Sequence, residues 1–231
     1  MLHLDQSVKV ALEVPNCVWQ ASHNTLCYAS NKVTSNTRPG VRALNSDHNN
    51  VKEYGWSPMS LSSIAENLLV SYDRVSQVVP DTVPSDLTVD QAKEIVQEIQ
   101  RLRESRGEQA VGYKIGFTNR TIWARYGVSH PIWGPVYDST LTLLNDKNAG
   151  SLDPSRFTEP RLEPEIVVCL SHSPADASLE AVAGAIKWVA HGFEIVQSTF
   201  PGWQFTGAQS FAAQALHGEL LVGPRINADQ L

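Results

Sequence analysis

Two glutamates separated by a single proline are the first residues whose spacing suggests chemistry. Glu163 and Glu165 flank Pro164 at the start of an apolar run that is typical of a strand. Residues i and i+2 of an extended segment point to the same face, so the two carboxylates converge. They repel each other unless a cation or water lies between them. For an isolated pair of this kind, a solvated strand end is the ordinary interpretation.

A third acid changes the balance between these interpretations. Glu194 is the only acidic or basic residue, histidine aside, in the apolar segment His191–Val196. Three carboxylates at strand ends offer oxygen ligands, which hard cations such as Mg²⁺ or Mn²⁺ prefer. No cysteine and histidine cluster with zinc spacing competes with them. The pattern alone is compatible with a metal site and with a chance set of exposed acids.

Three other polar residues lie beside apolar segments, and each also has an ordinary structural explanation. Lys114 lies within the predicted strand Val111–Phe117, where it is either a residue of a sheet edge or a functional cation. Asp138 would ordinarily form a turn or a cross-strand polar pair. His217 precedes Gly218 at a predicted helix end, where capping is the default role.

The elements that must position these residues change in type along the chain. The sequence predicts a poorly defined N-terminal segment over residues 1–56 and a helical layer over residues 57–110. Its first helix begins near Ser60 and ends before Pro80, and its second begins at Thr88 with a capping box and ends at Gly107.

Residues 111–231 predict a β-rich domain, so the fold class is α+β with mostly β structure. Strands and helices do not alternate regularly, which argues against a doubly wound sheet. One helix with Leu179, Val182, Ile186 and Val189 on one face interrupts the strands. The predicted strands are Val111–Phe117, Val136–Leu144, Glu165–Leu170, Phe193–Gln197 and Glu219–Val222.

Composition limits the class of protein. The net charge of −6 argues against a nucleic-acid partner, and no apolar run approaches the ~20 residues of a membrane span. The N-terminus makes a poor signal peptide. Cys17, Cys27 and Cys169 form no CxxC pair and predict reduced thiols in a cytoplasmic protein, with Cys169 in the core.

Several motifs in order along the chain together resemble one known family. Over roughly residues 58–225 the chain is similar to the 2-oxopent-4-enoate hydratase and 4-oxalocrotonate decarboxylase family of the fumarylacetoacetate hydrolase-like superfamily. The segments that carry the resemblance are Gly112–Asn119, Tyr126–Val128, Trp133–Pro135, Tyr137–Asp138, Arg161–Val167, Phe193–Ser198, Leu216–Gly218 and Leu220–Pro224.

The resemblance implies a role for each of the residues singled out above. Glu163, Glu165 and Glu194 would hold Mg²⁺ or Mn²⁺, and Lys114 and Asp138 would act as catalytic residues beside the metal. The implied fold is a β-roll of the fumarylacetoacetate hydrolase C-terminal-domain type with an N-terminal helical layer. Residues 111–231 would then form the metal-binding catalytic domain of a homo-oligomer.

The implied activity is lyase chemistry on a small 2-oxo acid, with Arg161 and His217 binding the substrate. Hydration of a 2-hydroxypenta-2,4-dienoate is the leading prediction, and decarboxylation of a vinylogous 2-oxo acid is close behind. Hydrolysis of a C–C bond in an acylpyruvate is a third possibility, with His130, His191 and His217 as candidates for activating water. A catalytically impaired homologue that binds a ligand is the non-enzymatic alternative.

Two departures from the family pattern bear on activity. Gln209 stands where the family usually has an acid, which would weaken proton handling or the hydrogen-bond network of the pocket. Family members generally continue for several dozen residues past the segment that matches Leu220–Pro224, whereas this chain ends at Leu231. The sequence therefore predicts a roll that lacks its last strands and has an open sheet edge.

Overall fold

The computed structural model describes residues 59–79, 81–144 and 151–230, together with the backbone of residues 2–3 and 20–21. The segment predicted over residues 1–56 lies outside the described residues apart from those two short pieces, and so do the side chains of Cys17 and Cys27. In chain order the elements are β1 (Leu2–His3), β2 (Gln20–Ala21), α1 (Leu61–Asp73), α2 (Val89–Ser105), β3 (Ala110–Gly116), α3 (Trp123–Tyr126), β4 (Ile132–Tyr137), β5 (Leu141–Leu143), β6 (Arg161–Leu170), α4 (Leu179–Ala185), β7 (Ile186–Val196), α5 (Gly207–Ala212) and β8 (His217–Asn227).

The helices α1, α2 and α5 pack around one apolar core. Thr88 caps α2 through the predicted capping box with Gln91, and Ser60 caps α1. Both caps satisfy backbone N–H groups that a helix start leaves unpaired. The buried faces of α1, α2 and α5 share one hydrophobic cluster, whose most buried members include Ile64, Ala65, Ala92, Ile95, Val96, Ile99 and Ala212.

The main sheet has β6, β7 and β8 at its centre, in antiparallel order. The short β5 pairs in parallel with β8, and β1 and β2 both pair with β6. A second cluster, which includes Val167, Cys169, Trp188, Leu220 and Val222, packs on one face of this sheet. Cys169 is buried, as the sequence predicts.

The strands β3 and β4 form a separate antiparallel hairpin. Its residues Val111 and Val136 belong to the same cluster as the centre of the main sheet, so the hairpin packs against that face. The helices, the hairpin and the sheet together give an α+β fold. None of the helices in the described part of the chain combines the length and the apolar character that a membrane span requires.

Two of the predicted elements run across a boundary between observed elements. The helix expected to include Ile186 and Val189 ends at Ala185, because residues from Ile186 onward pair with β6 along most of its length. The strand predicted over Val136–Leu144 is divided by a 3₁₀ turn at Asp138–Thr140. At this turn the chain leaves its hairpin partner β3 and joins β8 instead.

Candidate metal centre

The register of two neighbouring strands brings the three glutamates together. Glu163 on β6 lies directly opposite Glu194 on β7, and Glu165 lies opposite Gly192. Residues that face each other across an antiparallel pair share one face of the sheet. One carboxylate oxygen from each of Glu163, Glu165 and Glu194 lies within 4.8 Å of the other two. Glu194 is fully buried and Glu165 nearly so, which excludes a solvated strand end for these two.

Gly192 makes room beside Glu165. A Cβ at this position would lie 2.8 Å from both the carbonyl oxygen of Leu221 and Cγ2 of Val167. Real Cβ atoms do not approach other heavy atoms so closely, and the backbone contact cannot move aside easily. The residue opposite Glu165 therefore has to be a glycine for these strands to pack as they do.

Lys114 joins the cluster from the hairpin. Its Nζ lies 2.7 Å from Oε2 of Glu194, and its side chain is buried. The sequence left open a residue at a sheet edge or a functional cation, and this burial excludes the exposed alternative. Burial alone would lower the pKa of Lys114, but Glu194 and Glu163 raise it above its ordinary value. The lysine is therefore a fixed positive charge among the carboxylates.

His217 approaches the opposite oxygen of Glu194. Its Nδ1 lies 2.8 Å from Oε1 of Glu194, and its Nε2 lies 2.9 Å from Oγ1 of Thr140. Burial lowers the pKa of His217 and outweighs the attraction of Glu194. Both ring nitrogens of this buried histidine are therefore occupied by protein groups, and its predicted substrate-binding role stays a prediction.

The three carboxyl groups differ in their affinity for protons. Burial, together with the charge of Glu194, raises the pKa of Glu165 to about 9. Burial also raises the pKa of Glu163, although Lys114 opposes this effect. Burial would raise the pKa of Glu194 as well, but Lys114 and the hydrogen bond from His217 hold it below its ordinary value. Without a cation, the cluster thus retains a proton on Glu165 at neutral pH.

The residues present fit a divalent cation. Oε2 of Glu165 is buried without a hydrogen-bond partner among the described residues, which is costly for a carboxyl oxygen. Two oxygens bound to one ion lie at most about 4 Å apart for Mg²⁺ and about 5 Å apart for Ca²⁺, and the three oxygens here lie within 4.8 Å of one another. Three ionised carboxylates beside protonated Lys114 leave two negative charges, which a divalent cation would neutralise.

Arg161 begins the strand that carries the two glutamates. It precedes Glu163 by two residues and so shares its face of β6. Its guanidinium carbon lies 3.8 Å from the centre of the Trp203 ring, close enough for a cation–π contact. The indole Nε1 of Trp203 donates a hydrogen bond of 3.1 Å to the carbonyl oxygen of Glu159. The tryptophan is therefore held in place beneath the arginine.

Asp138 lies in the turn after β4 and makes its described contacts there. Its Oδ1 accepts hydrogen bonds from the backbone N–H groups of Gln109, at 3.0 Å, and Ser139, at 2.9 Å. These contacts match the turn and cross-strand roles that the sequence offered as the ordinary explanation. The structure does not bring Asp138 into the glutamate cluster, and its catalytic role stays a prediction.

Gln209 has a structural role at the start of α5. Its Oε1 accepts a hydrogen bond from the backbone N–H of Thr206 and completes a capping box. Its Nε2 donates to the carbonyl oxygen of Val83 at 2.8 Å. A carboxylate in this position could not donate that second bond, so the glutamine ties α5 to the segment between α1 and α2.

Comparisons with known proteins find similarity to decarboxylases and hydratases. No family model matches the chain. It is 32% identical over 170 residues to a 4-oxalocrotonate decarboxylase of Pseudomonas sp., covering 71% of this chain and 63% of the relative. It is 33% identical over 140 residues to a 2-hydroxyhexa-2,4-dienoate hydratase of Comamonas testosteroni, covering 60% of this chain and 52% of the relative. Both relatives are named for activities of the 2-oxopent-4-enoate hydratase and 4-oxalocrotonate decarboxylase family, to which this chain is similar.

A solved structure of a named relative supports the fold. The 4-oxalocrotonate decarboxylase of Pseudomonas putida G7, complexed with magnesium and adipate, superposes with a TM-score of 0.65 at 23% identity. The superposition covers 74% of this chain and 65% of that chain. The chain thus spans between about half and two thirds of the length of these relatives.

Sequence reasoning missed two residues that contact the candidate site residues His217 and Arg161. Thr140 lies at the end of the turn that divides the expected strand, and no spacing pattern links it to His217, which is far away in sequence. Trp203 follows the turn residues Pro201 and Gly202, where an aromatic side chain gives no signal of a cation contact. Both act through contacts that only the pairing of distant strands and loops creates.

The positions of the three histidines that could activate water bear on the hydrolysis alternative. His130 and His191 are exposed, and Nδ1 of His130 bonds the backbone carbonyl of Pro131. His217 has the acid partner that its sequence neighbourhood does not show, namely Glu194. Its second nitrogen is occupied by Thr140, so the pair does not present a free ring nitrogen to water.

Proposed function

We propose that this chain binds a divalent cation, Mg²⁺ or Mn²⁺, through Glu163, Glu165 and Glu194. We propose further that it acts as a lyase on a small 2-oxo acid or 2-hydroxydienoate. Hydration of the 2-hydroxypenta-2,4-dienoate type is the leading reaction. The observation that carries the proposal is the convergence of three carboxylates on one buried patch of sheet, with the ammonium group of Lys114 among them.

The relatives support both the reaction class and the ion. Those at 32% and 33% identity are named as a decarboxylase and a hydratase, and both names describe lyases. The solved decarboxylases of Pseudomonas putida G7 are complexed with magnesium and adipate in one case and with calcium and acetate in another. A divalent cation held by oxygen ligands is therefore the cofactor that we assign to this chain, and a small carboxylate is the ligand.

The chemistry requires charge stabilisation beside a 2-oxo acid. A bound divalent cation supplies Lewis-acid stabilisation of the negative charge that develops on the 2-oxygen of the substrate. Lys114 adds a second positive charge and holds a proton at Nζ, where Glu194 keeps it in place. Arg161 carries a guanidinium group suited to a substrate carboxylate, and Trp203 orients it. Asp138 is proposed as a proton acceptor.

Decarboxylation is the second candidate because the same charge stabilisation serves it. When CO₂ leaves a vinylogous 2-oxo acid, the electrons of the broken C–C bond pass to the 2-oxygen, as in an enolate. The match to the decarboxylase of Pseudomonas sp. covers 63% of that relative, whereas the match to the hydratase of Comamonas testosteroni covers 52% of its length. Acylpyruvate hydrolysis has less support, because both nitrogens of His217 are occupied.

Finer features of the architecture belong to the same proposal. The main sheet would be part of a β-roll of the fumarylacetoacetate hydrolase C-terminal-domain type. Residues 57–110 would form its helical layer and residues 111–231 its catalytic domain, and the protein would assemble as a homo-oligomer. The likeness to the solved decarboxylases supports the fold, and sedimentation analysis of the purified chain would test the assembly.

An assay with two substrates tests the function. The purified chain with Mg²⁺ or Mn²⁺ is expected to consume 2-hydroxypenta-2,4-dienoate, which is followed by loss of its ultraviolet absorbance. Consumption of 2-oxohex-3-enedioate with release of CO₂ would identify the decarboxylase instead.

Glu165→Gln should abolish turnover, and Glu94→Gln on the exposed face of α2 should not. Cation binding without turnover of either substrate would favour the binding protein, and activity that survives both EDTA and Glu165→Gln would refute the metal site.

A further inference from the structure

Both oxygens of Glu194 have partners from other elements: Oε2 forms an ion pair and Oε1 accepts a hydrogen bond. Lys114 of the hairpin lies 2.7 Å from Oε2, and His217 at the start of β8 lies 2.8 Å from Oε1. His217 is held in turn by Thr140, at 2.9 Å from its second nitrogen. All four side chains are buried. The carboxylate plane of Glu194 is thus set by residues outside its own strand.

The hydrogens of this chain of contacts have one consistent arrangement. A carboxylate can only accept, so Nδ1 of His217 donates to Glu194. Nε2 of the neutral ring is then an acceptor, and the hydroxyl of Thr140 donates to it. The backbone N–H of Tyr137 donates to Oγ1 of Thr140 at 3.0 Å and completes the sequence of donors. The hydroxyl hydrogen could otherwise point to the carbonyl oxygen of Tyr137, but that oxygen is farther away, at 3.2 Å.

The position of Thr140 in the fold restricts movement of the His217 ring. It ends the 3₁₀ turn between β4 and β5, and its neighbour Leu141 pairs with Leu220 on β8. The turn is therefore fixed at one end by the hairpin and at the other by the strand that carries His217. Among the described residues, the hydrogen-bond partners of the His217 ring are Glu194 and Thr140.

We propose that Thr140 is a positioning residue of the cation site, which acts through His217 to fix the orientation of the Glu194 carboxylate. This inference rests on the proposed function, because it requires Glu194 to be a ligand. Outer residues that orient a metal ligand typically change metal affinity by 10- to 100-fold when they are replaced. Thr140 would then contribute to cation affinity without touching the cation or the substrate.

Three threonine variants separate positioning from ordinary stability. Thr140→Val keeps the shape of the side chain but removes the hydroxyl, whereas Thr140→Ser retains it. Thr142→Val is the matched control, because Thr142 is two residues farther on and its hydroxyl bonds Glu219, another buried glutamate. For each protein, Mg²⁺ and Mn²⁺ affinities are measured by calorimetry, and the free energy of unfolding is measured in EDTA.

The proposal expects cation affinity to fall by about 10-fold or more in Thr140→Val. Thr140→Ser and Thr142→Val should stay within about threefold of the unsubstituted chain, even where their stability drops. Nitrogen-15 NMR of His217 should show the hydrogen on Nδ1 in the unsubstituted protein. Loss of stability in Thr140→Val with unchanged cation affinity would overturn the inference and leave the proposed function intact. An unsubstituted chain that binds neither cation would overturn both.

A second pair of variants decides the matter if Thr140→Val does not fold. In His217→Asn the amide N–H can still donate toward Glu194, whereas His217→Leu removes the donor and keeps a similar bulk. The asparagine variant should bind Mg²⁺ more tightly than the leucine variant. Equal affinities in the two variants would show that the orientation of Glu194 does not depend on this contact.

Discussion

The proton on Glu165 determines how the metal-free protein should respond to pH. The pKa of this carboxyl is raised to about 9 in the folded chain, first by burial and then by Glu194. An unfolded glutamate has a pKa of about 4.3. The folded state therefore binds the proton more tightly than the unfolded state between these two values. Its stability must fall as pH rises through that window.

Replacing Glu165 by glutamine should remove much of this pH dependence. In EDTA, Glu165→Gln is expected to be about as stable as the unsubstituted chain near pH 5 and more stable near pH 9, because the amide cannot ionise. Urea unfolding at pH 5, 7 and 9 measures the effect, with Glu94→Gln as an exposed control. Parallel pH profiles for Glu165→Gln and the unsubstituted chain would show that Glu165 is not the group responsible.

The contact between Arg161 and Trp203 leads to a prediction about substrate binding. Lysine keeps the charge but lacks the planar group that lies on the indole ring and can bind a carboxylate through two hydrogen bonds. Arg161→Lys should therefore raise KM for the 2-oxo acid by about 10-fold or more, which corresponds to about 1.4 kcal/mol. Cation affinity should change little.

A second arginine offers the control for this substitution. Arg156 also lies near an aromatic ring, that of Phe157, and it pairs with Glu219 at 3.1 Å. Arg156→Lys should leave KM close to its original value. Steady-state kinetics of both variants at saturating Mg²⁺ provide the comparison. A KM that rises equally in both variants would argue against a specific role for Arg161.

At the scale of elements, a capping signal predicted structure more reliably than helical spacing did. The capping box of Thr88 and Gln91 marks the start of α2 in the sequence and in the structure. A capping box depends only on residues three apart, so sequence can reveal it. The helical spacing of Ile186 and Val189 predicted a helix where the structure has a strand. Pairing of β7 with β6 and β8 outweighs this local periodicity.

The position of the hairpin depends on one glycine of β4. Gly134 lies opposite Lys114, and a Cβ on it would lie 2.1 Å from the carbonyl oxygen of Gln214. Backbone atoms cannot move aside easily, so Gly134→Ala must displace either the hairpin or the turn before β8. Overpacking of this kind typically costs about 1–3 kcal/mol. Because Lys114 would move with the hairpin, cation affinity should decrease as well.

Gly184 in α4 provides the matched control for this substitution. Nothing lies within 4 Å of a Cβ placed there, and alanine favours a helix over glycine by about 1 kcal/mol. Gly184→Ala should therefore leave stability unchanged or raise it. Urea unfolding of the two variants, with and without Mg²⁺, tests the contrast. Equal effects of the two substitutions would contradict the close packing at Gly134.

For the whole molecule, the residue types of the site could be predicted but their mutual contacts could not. The sequence indicated Glu163, Glu165 and Glu194 through strand spacing and family resemblance, and the register of β6 with β7 brings them together. The salt bridge of Lys114 and the hydrogen bond of His217 to Glu194 depend on how the hairpin and β8 pack against those strands. Such packing arises from long-range tertiary contacts, which no local pattern in the sequence encodes.

The wide separation of these strands along the chain has a consequence for folding kinetics. Lys114 and His217 both contact Glu194, yet they lie about a hundred residues apart in sequence. Closing such a long loop is slow, and Glu194 lacks its hydrogen bond from His217 until β8 docks. A transition state in which β8 is not yet docked would therefore have a weakened cation site, because Glu194 is not yet held by His217. Added Mg²⁺ should then slow unfolding and leave the refolding rate nearly unchanged, which stopped-flow measurements in urea can check. A refolding rate that rises with Mg²⁺ would mean that the glutamates meet early.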